Sequence, residues 1–114
     1  MNRNSKIYVA GHRGLVGSAI LRKLQEKGYS NIIVRTHAEL DLTCEADVEH
    51  FFQDEKPEVI ILAAAKVGGI GANSRYPADF IYQNLAIALN VIETARKYNV
   101  EKLINLGSSC IYPR

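Results

Sequence analysis

"AGHRGLVGS", residues 10–18, sets glycines at 11, 14 and 17 directly behind the apolar run "IYVA" of residues 7–10. Glycine weakens helices and strands alike, so three at this spacing mark a place where the backbone turns tightly or is closely approached. The pattern G-x-x-G-x-x-G says little alone; its setting decides the fold. Residues 7–10 read as a short buried strand. Behind the glycines, Leu15, Val16, Ala19, Ile20 and Leu24 recur at helical spacing, and Gly28 is placed to end that helix.

The alternation continues outward. "NIIVR" (31–35) reads as a second strand. Thr43 is the expected cap of a helix that carries Val48, Phe51 and Phe52 on one face and Glu45 in its first turn, and Pro57 stops it. "EVIILAAA" (58–65) is the continuous apolar run of a parallel strand covered on both faces. "GGIGANS" (68–74) is a loop, residues 77–98 carry a long helical pattern, and "KLINLGSS" (102–109) is a fourth strand with its exit. The order predicts an α/β fold: the N-terminal portion of a parallel doubly wound (Rossmann-type) sheet, four strands with three helices. Such folds normally continue. The expectation is that residues 1–114 form an incomplete nucleotide-binding domain, with the remaining strands and a substrate domain lying beyond it.

The long helix has two apolar stripes, one of Ile81, Leu85, Ala88, Ile92 and Ala95, the other of Phe80, Ile87, Val91 and Tyr98. One sheet face needs a stripe only about 100° wide. Further chain and a second subunit account equally well for the surplus.

Composition bounds the function. A chain of 114 residues is at most one ordinary domain, and a formal charge of +2 argues for neither a nucleic-acid nor a membrane partner. No apolar stretch nears the roughly 20 residues of a spanning helix, and "MNRNSK" has no secretory apolar region. Cys44 and Cys110 lack metal-ligand spacing and imply no disulfide framework; His12 and His50 have no ligand partners at useful spacing. No metal is expected, and the expected compartment is the cytoplasm.

In this setting the glycine loop reads as a dinucleotide site. Gly11 permits the tight turn, Gly14 lets the backbone approach a pyrophosphate, and Gly17 lets the helix pack on the strand. Backbone N–H groups at the helix start form an anion site. NAD-binding folds usually end the second strand in an acid for the ribose hydroxyls; here it ends in "VRTH", with Arg35 and His37, and Arg13 lies inside the loop. Arginine suits a 2′-phosphate, so NADP(H) is the expected cofactor. Asp41 is the rival, as a ribose-binding acid, although its later place suits an adenine or loop contact better.

"GHRGLVGSAI" (11–20), "AAAKVGGIGANS" (63–74), "YPADFIYQN" (76–84) and "LGSSCIYP" (106–113) resemble the GDP-L-fucose synthase family of extended short-chain dehydrogenase/reductases. The resemblance implies NADPH-dependent epimerisation of GDP-4-keto-6-deoxymannose at carbons 3 and 5, then reduction of its carbon-4 ketone to give GDP-L-fucose. It implies that Gly11, His12, Arg13, Gly14, Leu15, Val16 and Gly17 hold the pyrophosphate, with Arg13, Arg35 and His37 facing the 2′-phosphate. Asp41 and Leu42 would lie by the adenine; Ala63, Ala64, Ala65, Leu106, Gly107, Ser108 and Ser109 would run along the cofactor. Ser108 would hydrogen-bond the ketone oxygen, Cys110 would serve epimerisation, and Lys66, Val67, Gly68, Gly69 and Ile70 would border the GDP-sugar substrate. The complete protein would be a homodimer through the 77–98 helix.

The family's Tyr-x-x-x-Lys pair would follow residue 114, so this stretch alone is expected to be inactive. Read from the residues only, Ser108 and Ser109 end a strand, and Cys110 is a small buried hydrophobe. Two other functions stay open: a non-catalytic NADP-binding module, and a related NAD-dependent nucleotide-sugar epimerase or dehydratase, against which "SSCIYP" argues.

Overall fold

A computed structural model describes residues 2–63 and 77–106, the side chains of 77–81 excepted. Four strands, β1 (Ile7–Ala10), β2 (Ile32–Ile33), β3 (Val59–Leu62) and β4 (Lys102–Asn105), alternate with α1 (Leu15–Glu26), α2 (Glu45–Glu55) and α3 (Pro77–Lys97). The strands form one parallel sheet in the order β2-β1-β3-β4. The chain therefore winds outward from β1 to β2, then crosses back to β3 on the other side, which makes the β1/β3 boundary the switch point of the sheet.

Period-two alternation along β1 and β3 assigns their side chains to two cores. Tyr8, Ala10, Ile60 and Leu62 face Val48, Phe51 and Phe52 of α2 and Ile87, Val91 and Ala95 of α3. Ile7, Val9, Val59 and Ile61 face the opposite way, against Leu24 and Ile20 of α1. Every residue of both central strands is buried, as the continuous apolar runs predict. Phe52 is 1% exposed at the centre of the larger core, where truncation to alanine would cost about 3–5 kcal/mol.

Helix ends follow from local chemistry. Gly28 stands at φ 92, its N–H bonds the Gln25 carbonyl, and the Tyr29 N–H bonds that of Leu24. Those paired bonds form a Schellman ending, with Tyr29 and Leu24 in one apolar cluster. Asn99 repeats it behind α3 at φ 55, with the Asn99 N–H on Arg96 and the Val100 N–H on Ala95. Lys56 takes the left-handed conformation between α2 and Pro57, where the proline stop is expected.

Four expectations need correction. Strand β2 covers only Ile32–Ile33 rather than 31–35. Among the described residues it pairs with β1 alone, and that pairing ends at Tyr8–Ile33. Thr43 does not cap α2: its hydroxyl and N–H both bond Asp41 Oδ1, and Cys44 takes the cap position without a side-chain bond. The apolar face of α1 is Gly17, Ile20 and Leu24, while Leu15 (88%) and Val16 (54%) are exposed because the first turn belongs to the glycine loop. On α3, Ile87, Val91 and Ala95 are buried with Tyr98 packed behind them, whereas Leu85 and Ile92 join Tyr82 and Leu89 on an exposed face. Among the described residues no helix is long and apolar enough to cross a membrane.

Candidate functional site

The loop between β1 and α1 crosses the carboxyl end of the sheet at the switch point. Gly11 stands at φ 87, a conformation open to glycine and strained for other residues. Its carbonyl accepts the Gly14 N–H at 3.1 Å and closes the turn. A Cβ on Gly17 would lie 1.9 Å from that same carbonyl oxygen, so the helix reaches the loop only because residue 17 lacks one. Gly14 differs. A Cβ there would meet the Gly11 oxygen at an ordinary 3.5 Å, and its extended backbone (φ −79, ψ 171) suits any residue. The chain itself places no demand for glycine at 14, whereas a phosphate group laid against this turn does.

Gly14 caps α1 with no side-chain bond, and the first turn holds no acid. The leading N–H groups of a helix have no intrahelical partners, and they carry the positive end of its dipole. Beside them opens a cleft of ≈ 270 Å³ lined by Gly11, His12, Arg13 and Gly14 from the loop and Ala63 from the end of β3. Arg35, Thr36, His37 and Leu42 enter from beyond β2. Tyr8, Leu40 and Ile87 complete the lining, an apolar floor suited to a flat ring. The residues present fit a dinucleotide: N–H donors and an unobstructed glycine for phosphate, two arginines in the lining, and an apolar bed.

Arg35 is tightly held. Its Nη1 donates to the Val34 carbonyl at 2.8 Å and its Nη2 to Glu55 Oε2 at 2.7 Å, while the guanidinium lies over the Phe51 ring at 5.4 Å. Lys6 Nζ sits 3.0 Å from the other Glu55 oxygen. The hydrogen bond from Lys6, then the charges of Lys6 and Arg35, hold the Glu55 carboxyl below its usual range despite some desolvation. Phe51 packs against Tyr8 with ring centroids 4.5 Å apart and the planes tilted by 52°, and burial raises the Tyr8 phenol well above its ordinary value against a smaller opposing effect of Arg35.

The turn bearing His37 is fixed by a reciprocal cap. The Thr36 N–H donates to Glu39 Oε1 at 2.7 Å, and the Glu39 N–H donates to Thr36 Oγ1 at 3.3 Å. Thr36-His37-Ala38-Glu39 is the T-x-x-E pattern of a capping box, a signal present in the sequence. These bonds hold the Glu39 carboxyl below its usual range. Asp41 anchors Thr43 and does not line the cleft; Leu42 is pinned when Asn90 Nδ2 of α3 donates to its carbonyl at 2.9 Å.

Of the residues expected in the site, Gly11, His12, Arg13, Gly14, Arg35, His37, Leu42 and Ala63 come together. Leu15, Val16 and Gly17 stand just behind the loop in α1. Leu106 lies past β4, with its N–H on the Leu62 carbonyl at 3.0 Å. Ala64, Ala65, Lys66, Val67, Gly68, Gly69, Ile70, Gly107, Ser108, Ser109 and Cys110 fall outside the described residues. Tyr8, Thr36, Leu40 and Ile87 line the cleft without having been singled out. Three of them read as core, and only the capping pattern of Thr36 could have drawn attention. Among the described residues no group of three or more His, Cys, Asp or Glu could hold a metal ion.

Comparison with known proteins places this geometry. GDP-L-fucose synthase 1 of Arabidopsis thaliana is 66% identical over 113 residues, covering 99% of this chain and 35% of that protein. The solved structure of DdhaC superposes with a TM-score of 0.93 at 57% identity, over 99% of this chain and 33% of that one. GDP-mannoheptose C4 reductase from Campylobacter jejuni, solved with NADP bound, superposes with a TM-score of 0.91 at 46% identity, over 99% and 36%. The chain thus spans about a third of the length of the relatives it matches, corresponding to their N-terminal part. Residues 7–114 match the profile described as "NAD dependent epimerase/dehydratase family". With a parallel sheet wound about β1, a glycine turn over its switch point and that match across nearly its whole length, the chain belongs to the NAD dependent epimerase/dehydratase family.

Proposed function

We propose that this chain is the NADP(H)-binding part of an enzyme that makes GDP-L-fucose from GDP-4-keto-6-deoxymannose by epimerisation at carbons 3 and 5 and reduction at carbon 4. The observation that carries the cofactor reading is the lining of the cleft: Arg35 and His37 follow β2, where an NAD-binding fold places a ribose-binding acid, and Arg13 joins the lining from the glycine loop. The likeness to the Arabidopsis GDP-L-fucose synthase and to a reductase solved with NADP supports the substrate class and the cofactor.

In this reading the N–H groups at the start of α1 hold the pyrophosphate, and Leu40, Leu42 and Ile87 bed the adenine. Arg13, Arg35 and His37 grip the 2′-phosphate. NADPH supplies the hydride for the carbon-4 ketone. Ser108 donates a hydrogen bond to the ketone oxygen, where negative charge grows during reduction. Cys110 removes the proton beside that ketone, a task for a base whose ordinary pKa of about 8.5 lies near working pH. Lys66 to Ile70 border the sugar. The reading extends to a homodimer through α3, whose exposed Tyr82, Leu85, Leu89 and Ile92 repeat every three or four residues.

The test is calorimetric binding of NADPH and NADH to the protein and to Arg13→Ala. A lost charge-assisted bond is worth about 1.5–3 kcal/mol, so NADPH binding should weaken roughly ten- to a hundredfold while NADH binding stays near its starting value. Equal losses for both cofactors would refute the 2′-phosphate assignment. The catalytic part is tested by deuterium uptake at carbons 3 and 5 in the complete protein with oxidised cofactor present. Cys110→Ser should slow that exchange, and an unchanged rate would remove Cys110 from the chemistry.

A further inference from the structure

We propose that Glu55, the last residue of α2, is the positioning residue for Arg35 and thereby sets the preference of the cleft for a 2′-phosphorylated cofactor. The proposal rests on the reading of the cleft as an NADP site, and it adds a residue that touches no ligand. Glu55 does not line the cleft, whereas Arg35 does. An arginine at the open end of a cleft would sample many rotamers, and an anion that binds it must order the side chain. Here the ordering is already in place. The Val34 carbonyl takes one Nη1 hydrogen at 2.8 Å, Glu55 Oε2 takes one Nη2 hydrogen at 2.7 Å, and the plane lies on Phe51 at 5.4 Å. Arginine has five N–H donors in a rigid fork, so those left over remain for an anion.

Charge accounting supports positioning over competition. A lone carboxylate so close would cancel the attraction Arg35 offers a phosphate. Lys6 Nζ stands 3.0 Å from the second Glu55 oxygen, so the Glu55 carboxylate is shared between two cations and is not matched to Arg35 alone. All three are partly shielded, with Arg35 at 30% side-chain exposure and Lys6 and Glu55 at 29% each. The network joins the residue before β1, the last residue of α2 and the segment that follows β2. Arg35 is thereby set against the sheet that carries the glycine loop.

The experiment is calorimetric titration of the protein and of Glu55→Gln, Arg35→Ala and the double variant with NADP⁺, NAD⁺ and 2′,5′-ADP. Glu55→Gln keeps the side-chain volume and removes the charge. It should weaken NADP⁺ and 2′,5′-ADP by about three- to tenfold, the scale of one mis-set hydrogen bond. NAD⁺ should change less than twofold, which also reports that the fold survives. In the Arg35→Ala background, Glu55→Gln should cost nothing more. Parallel losses for NADP⁺ and NAD⁺ would reduce Glu55 to a structural tie between elements, and tighter NADP⁺ binding would make it a competitor; either overturns the proposal. A loss that persists without Arg35 overturns it too. Failure of the underlying reading looks different: the unmutated protein would then show no preference for NADP⁺ over NAD⁺.

Discussion

Two glycines at the start of α1, Gly14 at its cap and Gly17 inside its first turn, should answer the same substitution in opposite ways. In Gly17→Ala the new Cβ would stand 1.9 Å from the Gly11 oxygen and 2.6 Å from its carbonyl carbon. Both are backbone atoms of a residue itself fixed at φ 87, so neither swings aside. Overpacking of this kind costs about 1–3 kcal/mol or more, and here the upper end applies because α1 must move off β1. Higher helix propensity for alanine offsets less than about 1 kcal/mol. The net loss of about 2 kcal/mol corresponds to a fall of roughly 10 °C in Tm. Gly14→Ala should be nearly silent in the same melt. Its Cβ meets one atom at 3.5 Å, and alanine adopts its backbone angles freely. A poorer cap costs about 0.5–1 kcal/mol, and a less flexible unfolded chain offsets about as much. Its effect lies in binding: a methyl group where the pyrophosphate must lie should weaken NADP⁺ more than tenfold by calorimetry. If Gly17→Ala melts with the unmutated protein, or Gly14→Ala binds NADP⁺ equally well, the division of labour argued for this loop is wrong.

Two further outcomes are expected. Glu49 Oε1 accepts bonds from Lys97 Nζ at 2.6 Å and the Tyr98 hydroxyl at 2.9 Å, and the Lys97 bond first, then the Tyr98 bond, hold its carboxyl below the usual range. A lowered folded value means that this tie between α2 and α3 is fully present above the unfolded carboxylate pKa of about 4.3 and fades as pH falls through the folded value; Glu49→Gln should flatten the acid side of a Tm-against-pH curve, and superimposable acid limbs would refute the assignment. Leu89, 67% exposed on the outer face of α3, should govern self-association: Leu89→Lys should sediment as a smaller species than the unmutated protein at equal concentration, and identical sedimentation would exclude that face as a subunit contact.

Much of the fold is legible where local chemistry has one solution. The glycine turn, the stop at Gly28 and the helix end before Pro57 each follow from backbone rules that tertiary context seldom overrides. Legibility fails where two local solutions compete. Thr43 is a good cap by type, yet Asp41 two residues earlier captures its hydroxyl at 2.6 Å and moves the helix start. Periodicity over α3 correctly marks a helix but cannot say which stripe meets the sheet. Asn84 and Thr94 lie on the buried side, while Leu85 and Leu89 lie outside, against simple hydrophobic order. The same limit applies to the cleft. Its loop residues carry a motif, whereas Tyr8, Leu40 and Ile87 reach it from the core and show no pattern of their own. Arg35 was visible as a charge, but its hold by Glu55, twenty residues away, belongs to the fold alone.

Tyr8 gives the protein a spectroscopic property. Residues 1–114 contain no tryptophan, so the near-ultraviolet emission of this stretch comes from its tyrosines. Among the described residues Tyr8 is the tyrosine that lines the cleft, buried against Phe51 with its phenol kept protonated across the neutral range. A nucleotide base settling onto that floor would place a strong absorber in van der Waals range of the ring. Quenching of the Tyr8 share of that emission would then report occupancy of the cleft, with no label attached and no turnover needed. Replacing Tyr8 with phenylalanine removes that signal while leaving the apolar floor.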